Sequence, residues 1–165
     1  MYRYSITESP KGYEVYVNLI TSSAGRYISR QPYLINMIKE VLVPMKLTGA
    51  EISIEHDMGR VIGNTDIVAT GEKDVIFYAQ PYKKTVFSRY VKNHSQLPSK
   101  TLTILLVQDE NGDYELTDTW IGPCSPPFPG DKKETSRSKS YWETHALVLD
   151  TQTIQSKTLT KVCPY

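Results

Sequence analysis

Three residues of this sequence have types that could move a proton and hold a phosphate: His56, Arg89 and Thr119. His56 closes the alternating run Glu51-Ile52-Ser53-Ile54-Glu55-His56. An imidazole at a strand end can act as general acid or base, because it changes charge near neutral pH. Arg60 follows it closely and adds a positive charge. Arg89 stands in a stretch without acidic residues, where a guanidinium can grip a phosphate in a bidentate contact. Thr117 and Thr119 are expected to share one strand face on either side of Asp118, so that the Thr119 hydroxyl could orient the same phosphate. Each has an ordinary explanation as well: a hydrogen-bonded structural histidine, a solvated helix arginine, and a threonine chosen for its β-branched shape.

The charge distribution points the same way. Residues 81–108 hold Lys83, Lys84, Arg89, Lys92 and Lys100 and no Asp or Glu, so this window carries +5 while the rest of the chain carries −4. A positive zone on a near-neutral chain attracts polyanions locally. Tyr78, Tyr82, Tyr90 and Trp120 supply aromatic surface among Lys83, Lys84, Arg89 and Lys92. Cations interleaved with rings suit single-stranded RNA, whose phosphates need neutralising and whose bases stack. RNA is therefore the expected partner, although Tyr78 and Trp120 could equally be core residues. His145 and Trp142 read as a packing pair.

Several chemistries drop out. There is no P-loop, GxGxxG, HExxH, GxSxG or EF-hand pattern, and His56, His94 and His145 have no metal-ligand spacing. No cofactor and no metal are expected. Cys124 and Cys163 are the only cysteines, too few for a disulfide framework or a thiolate zinc site. Two unpaired buried thiols in a reducing cytoplasm are expected rather than one bridge. No apolar run reaches the ~20 residues of a membrane span, and the start of the chain leads into no signal-peptide stretch, so the expected location is cytoplasmic with no membrane partner.

The elements that must position these residues read as α+β in a single domain, 1–165, with residues 1–48 as hairpin and helix, 49–122 as sheet core and 123–165 as Pro-rich arm, helix and tail. Residues 2–7 and 13–19 alternate around Ser9-Pro10-Lys11-Gly12 as an N-terminal hairpin. Thr21-Ser22-Ser23-Ala24-Gly25 reads as a loop. Leu34, Ile35, Ile38, Val41 and Leu42 have helical spacing between Pro32 and Pro44, giving one core helix before the sheet. Short strands are expected at 65–69 and 75–79, and a short helix at 86–93. Residues 101–108 and 114–121 flank Asn111-Gly112, the strongest hairpin signal, and build a central antiparallel sheet. Four prolines in 123–130 make an extended surface segment. A late C-terminal helix is expected over 140–149, with Ser140 as N-cap and Glu143 three residues on. The tail after it adds an edge strand or stays loose. Twelve Tyr against three Phe call for half-buried surface where the hydroxyls find partners.

The run from Glu51 to His56, then Arg60, Gly63-Asn64-Thr65 and Ile76-Phe77-Tyr78-Ala79, resembles the core of bacterial and phage proteins of unassigned function. The resemblance continues through Phe87-Ser88-Arg89-Tyr90-Val91-Lys92-Asn93 and Pro126-Pro127-Phe128-Pro129-Gly130-Asp131 to Tyr141-Trp142-Glu143-Thr144-His145. Such proteins look similar to the barnase, EndoU, colicin and RelE-like group of small RNases and toxins, in which a helix precedes an antiparallel sheet. The resemblance implies an acid–base role for His56, a phosphate-holding role for Arg89 and a supporting role for Thr119. Gln80-Pro81-Tyr82-Lys83-Lys84 departs from the arginine-rich stretch expected there, and Gly130 stands where Trp is expected. The expectation is a metal-independent, toxin-type endoribonuclease with substrate held by Arg60, Tyr78, Tyr82, Lys83, Lys84, Lys92 and Trp120, and with a protein inhibitor or immunity partner. The alternative is a non-catalytic RNA-binding or protein-interaction module of a phage or mobile element.

Overall fold

The computed structural model describes residues 3–7, 12–81, 85–149 and 158–165. In chain order they form β1 (Arg3–Thr7), β2 (Val15–Asn18), α1 (Ser23–Arg30), α2 (Leu34–Leu42), β3 (Glu51–Asp57), β4 (Gly63–Thr65) and β5 (Ile67–Ala69). There follow β6 (Ile76–Ala79), β7 (Ser88–Val91), β8 (Leu97–Ser99), β9 (Thr101–Gln108), β10 (Tyr114–Ile121), α3 (Ser138–Thr144) and β11 (His145–Val148). Contacts divide the chain into two units: Met1–Ile62 with Lys100–Cys124, and Gly63–Ser99 with Ser125–Tyr165.

The first unit grows from the Asn111-Gly112 turn. Gly112 adopts φ +84°, which a side chain resists, and Asp109 Oδ1 accepts from the N–H groups of Asn111 and Asp113 at 2.9 and 3.0 Å. The hairpin β9–β10 so formed is the centre of a five-stranded sheet in the order β1-β2-β10-β9-β3. The N-terminal hairpin β1–β2 is antiparallel, as its alternation predicts, but β2 joins β10 in parallel, so the sheet is mixed rather than antiparallel throughout. Leu102, Ile104, Leu106 and Leu116 are fully buried against Leu34, Ile38, Val41 and Leu42 of α2. Burying each such side chain stabilises the fold by about 1.5–3 kcal/mol before chain entropy is counted.

Two helices precede β3, not one. Ser22 Oγ accepts from the Gly25 N–H at 2.9 Å and caps α1, while Asn18 Oδ1 accepts from Ile20 and Thr21 to make the turn before it. The Ser-Ser-Ala-Gly stretch that reads as a loop is thus a capped helix start. Its glycine answers packing: a Cβ at Gly25 would lie 2.7 Å from the Leu19 backbone. The tyrosine hydroxyls find the partners that their abundance demands. Tyr114 donates to Gly49 O at 2.8 Å, Tyr13 to Met45 O at 3.3 Å and Tyr33 to Ile62 O at 3.1 Å, while Tyr27 accepts from the Ile121 N–H at 3.1 Å.

The second unit has a four-stranded sheet, β5-β11-β7-β6, and the two-stranded β4–β8. Here the sequence reading needs three corrections. Residues 88–91 form strand β7, not part of a helix, because Tyr90 and Val91 suit a pleated surface and β6 pairs with it from Ile76↔Val91 to Ala79↔Ser88. The late helix begins at Ser138 and ends at Thr144, with Ser140 inside it donating to Arg137 O. Residues 145–148 leave it as β11, since pairing with β5 and β7 offers their β-branched and apolar side chains a sheet interior. Trp142 of α3 stacks on Phe128 at 3.9 Å and donates to Pro126 O at 3.0 Å, which holds the Pro-rich segment. The buried apolar cluster is small: Val68, Val91 and Ala146, with Ile76 and Val148 beside them. Among the described residues no helix is long and apolar enough to cross a membrane.

Candidate functional site

The units divide the residues that the sequence singles out. His56, Arg60, Thr119 and Trp120 belong to the first, and Tyr78, Arg89 and Lys92 to the second; Tyr82, Lys83 and Lys84 lie outside the described residues.

In the first unit His56 is exposed on β3, opposite Leu102, with no side-chain partner among the described residues. Thr119 is fully buried and its hydroxyl donates to Thr103 O at 2.8 Å. It does not share a face with Thr117, because a bulge shifts the register between Leu116 and Asp118 and reverses the alternation there. The Thr119 hydroxyl therefore serves the sheet interior and offers nothing to a ligand. Arg60 pairs with Glu40 at 3.1 Å and donates to Met58 O. Trp120 is half-buried and donates its indole N–H to Pro123 O at 2.8 Å.

In the second unit Tyr78 and Arg89 face each other directly across β6 and β7, so both side chains lie on one face. Arg89 Nη1 donates to Thr70 Oγ1 at 2.8 Å and to His145 O at 3.0 Å. Its Nε is buried with no partner, and the guanidinium makes no ion pair among the described residues. The Tyr78 phenol has the Arg89 guanidinium and the Cys163 thiol as its polar neighbours. Burial pushes that phenol up and Cys163 adds to the rise, against the pull of the Arg89 charge. The Tyr165 ring meets Tyr78 edge-on at 5.8 Å, and burial followed by the neighbouring Tyr78 and Cys163 pushes its phenol up as well.

The opposite face of the same strands carries two lysines. Phe77 opposes Tyr90, and Lys92 stands two residues beyond Tyr90, hence on the Phe77 side. Lys92 Nζ lies 5.8 Å from the Phe77 ring centroid and Lys161 Nζ lies 5.5 Å from it. Phe77 and Lys161 are the residues that sequence reasoning missed. The reading of 86–93 as a helix hid the strand pairing that sets Lys92 beside Phe77, and no local pattern could place Lys161 there. The expected stacking surface is largely internal: Tyr90 is 3% exposed and Tyr78 is half-buried against Tyr165.

Two further groups complete the picture. His94 Nε2 lies 2.7 Å from Asp74 Oδ1, and the Gly71 N–H donates to Asp74 Oδ2. The Gly71 N–H and then His94 hold the Asp74 carboxyl below its ordinary range, outweighing desolvation. His145 stacks on Tyr141 at 4.1 Å rather than on Trp142. Neither cysteine forms a disulfide; Cys124 is half-buried and Cys163 exposed, so the expectation of two buried thiols fails, most fully at Cys163. Among the described residues no three His, Cys, Asp or Glu side chains gather in a metal-binding arrangement. Taken over the full sequence, the second unit has eleven Lys and Arg against seven Asp and Glu, a net +4, while the first has eight against eleven, a net −3. Comparison with protein-family models, with curated proteins and with solved structures finds no match for this chain, so a functional reading rests on these residues and their geometry.

Proposed function

We propose that the chain binds single-stranded RNA through the Phe77 face of its second unit and does not cleave it. The observation that carries this reading is the convergence of Lys92 and Lys161 on one half-buried ring. Each cation–π contact returns only about 0.5–1 kcal/mol at an exposed site. A phosphate near either ammonium group releases counterions from the nucleic acid, which is the main source of sequence-independent affinity. The net +4 of the unit adds to the attraction. Cleavage finds less support. The Thr119 hydroxyl is buried and committed, and Arg89 Nη1 already serves two acceptors of its own unit.

The test is fluorescence anisotropy of a labelled oligouridylate titrated at several salt concentrations, with turnover followed in EDTA. Native protein binds, with log K falling linearly in log salt and the RNA remaining intact. Lys92→Ala and Lys161→Ala each reduce the salt slope by about 0.7, the value for one phosphate contact on a single strand. Native slopes in both variants would sink the reading. RNA cleavage in EDTA that disappears in His56→Ala would replace it with the endoribonuclease reading.

A further inference from the structure

Residues 158–165 lie along the outer edge of β6 and touch both faces of the sheet there. Backbone pairing provides the seam: the Tyr78 N–H donates to Thr160 O at 2.7 Å and the Thr160 N–H donates to Tyr78 O at 2.9 Å. The Gln80 N–H donates to Thr158 Oγ1 at 3.2 Å. Because successive residues of extended chain point to opposite faces, Thr160 opposite Tyr78 directs Lys161 to the Phe77 side. The chain then turns, and Tyr165 packs edge-on against Tyr78 on the Arg89 side, 5.8 Å between centroids. Cys163 Sγ donates to Tyr165 O at 3.1 Å within this turn. The segment therefore straddles an edge strand, with a ring anchored on one face and a cation delivered to the other.

From this arrangement we infer that docking of residues 158–165 on β6 and RNA binding at Phe77 are one coupled equilibrium: the segment completes the cation pair when docked and removes Lys161 from it when released. This deepens the RNA-binding reading and rests on it. The anchor is modest: one isolated bridge, the Gln80–Thr158 hydrogen bond and one aromatic pair. A coupling of that size lets the docked and released states exchange and lets RNA bias them. By linkage, whatever docking contributes to RNA affinity RNA returns to docking.

Tyr165→Ala and Thr160→Pro test the coupling, since neither removes a charge and neither alters the Phe77 face. The first deletes the ring anchor and the second deletes the N–H that pairs with Tyr78 O. Both are expected to lower the salt slope by about 0.7 on the oligouridylate, as Lys161→Ala does. The Tyr165→Ala/Lys161→Ala double variant should bind no more weakly than Lys161→Ala. Amide exchange at Tyr78, whose N–H the segment covers, reads docking directly. It should quicken in both anchor variants and slow when native protein is saturated with RNA. Native slopes in Tyr165→Ala and Thr160→Pro, with Lys161→Ala still lowering the slope, would overturn the coupling and leave the RNA reading standing. Native slopes in Lys92→Ala and Lys161→Ala would remove both.

Discussion

The two units solve the same problem with different means. The first packs two helices on a five-stranded sheet, buries a continuous aliphatic core and ties its loops with tyrosine hydroxyls. The second has a small aliphatic cluster, and aromatic stacking and a half-buried arginine do what methyl groups do in the first. Its net charge is positive where the other is negative. A unit that spends its surface on like-charged groups forgoes some stability, and such a region is where a binding function is expected. The contrast teaches where to look: on the proposed reading the first unit is scaffold and the second is the part that meets RNA.

The largest test of that contrast is a pair of core truncations. Ile104→Ala in the first unit should cost about 2–5 kcal/mol, because a fully buried side chain leaves a cavity on a sheet covered by α2. Val91→Ala in the second should cost less, about 1.6 kcal/mol for two methyl groups plus any cavity term. Native-state amide exchange separates the two effects: the first truncation should speed exchange in β9 and β10, the second in β7 and β11. Equal costs would break the comparison.

A smaller effect is expected on acidification. The Asp74 carboxyl is held below its ordinary value of 3.8, so it stabilises the folded second unit above that pH and loses this contribution as pH falls through the lowered value. Thermal unfolding of native protein and Asp74→Asn should therefore differ at pH 6 and converge in strong acid. A constant difference across the series would show that the Gly71 and His94 contacts are not the cause.

The smallest effect belongs to the first unit, at the other end of the pH scale. Burial and then the hydrogen bond to Asp109 push the Tyr16 phenol up to about 12 from 10.0. A raised folded value means stability that is complete below 10 and declines as pH climbs from 10 towards 12. Tyr16→Phe should flatten that decline, and the tyrosine absorbance titrations of native protein and variant should differ by one phenol ionising near 12 rather than near 10. An unchanged alkaline profile in Tyr16→Phe would remove the phenol from the account.

Local chemistry made part of this molecule legible. Asn111-Gly112 needs only its own backbone to form a turn, and α2 shows its apolar stripe at helical spacing, so both read directly from residue types. Ser22 as a helix cap was also written locally, but a following Gly25 imitates a loop unless one knows that the Leu19 backbone passes beside it. Residues 86–93 deceived for a related reason: a four-residue strand with neighbours on both sides has no period long enough to distinguish it from a helical turn.

Composition and short-range pattern thus determined by themselves that the chain is α+β, that a hairpin forms at Asn111-Gly112 and that cations concentrate in residues 81–108. Tertiary structure decided which cations act together. Lys161 reaches Phe77 only because residues 158–165 pair with an edge strand far away in the sequence, and Thr119 is lost to the interior only because a bulge turns it inward. Strand partners and bulges are chosen by burial and hydrogen-bond satisfaction over the whole unit, and no window of sequence contains those terms.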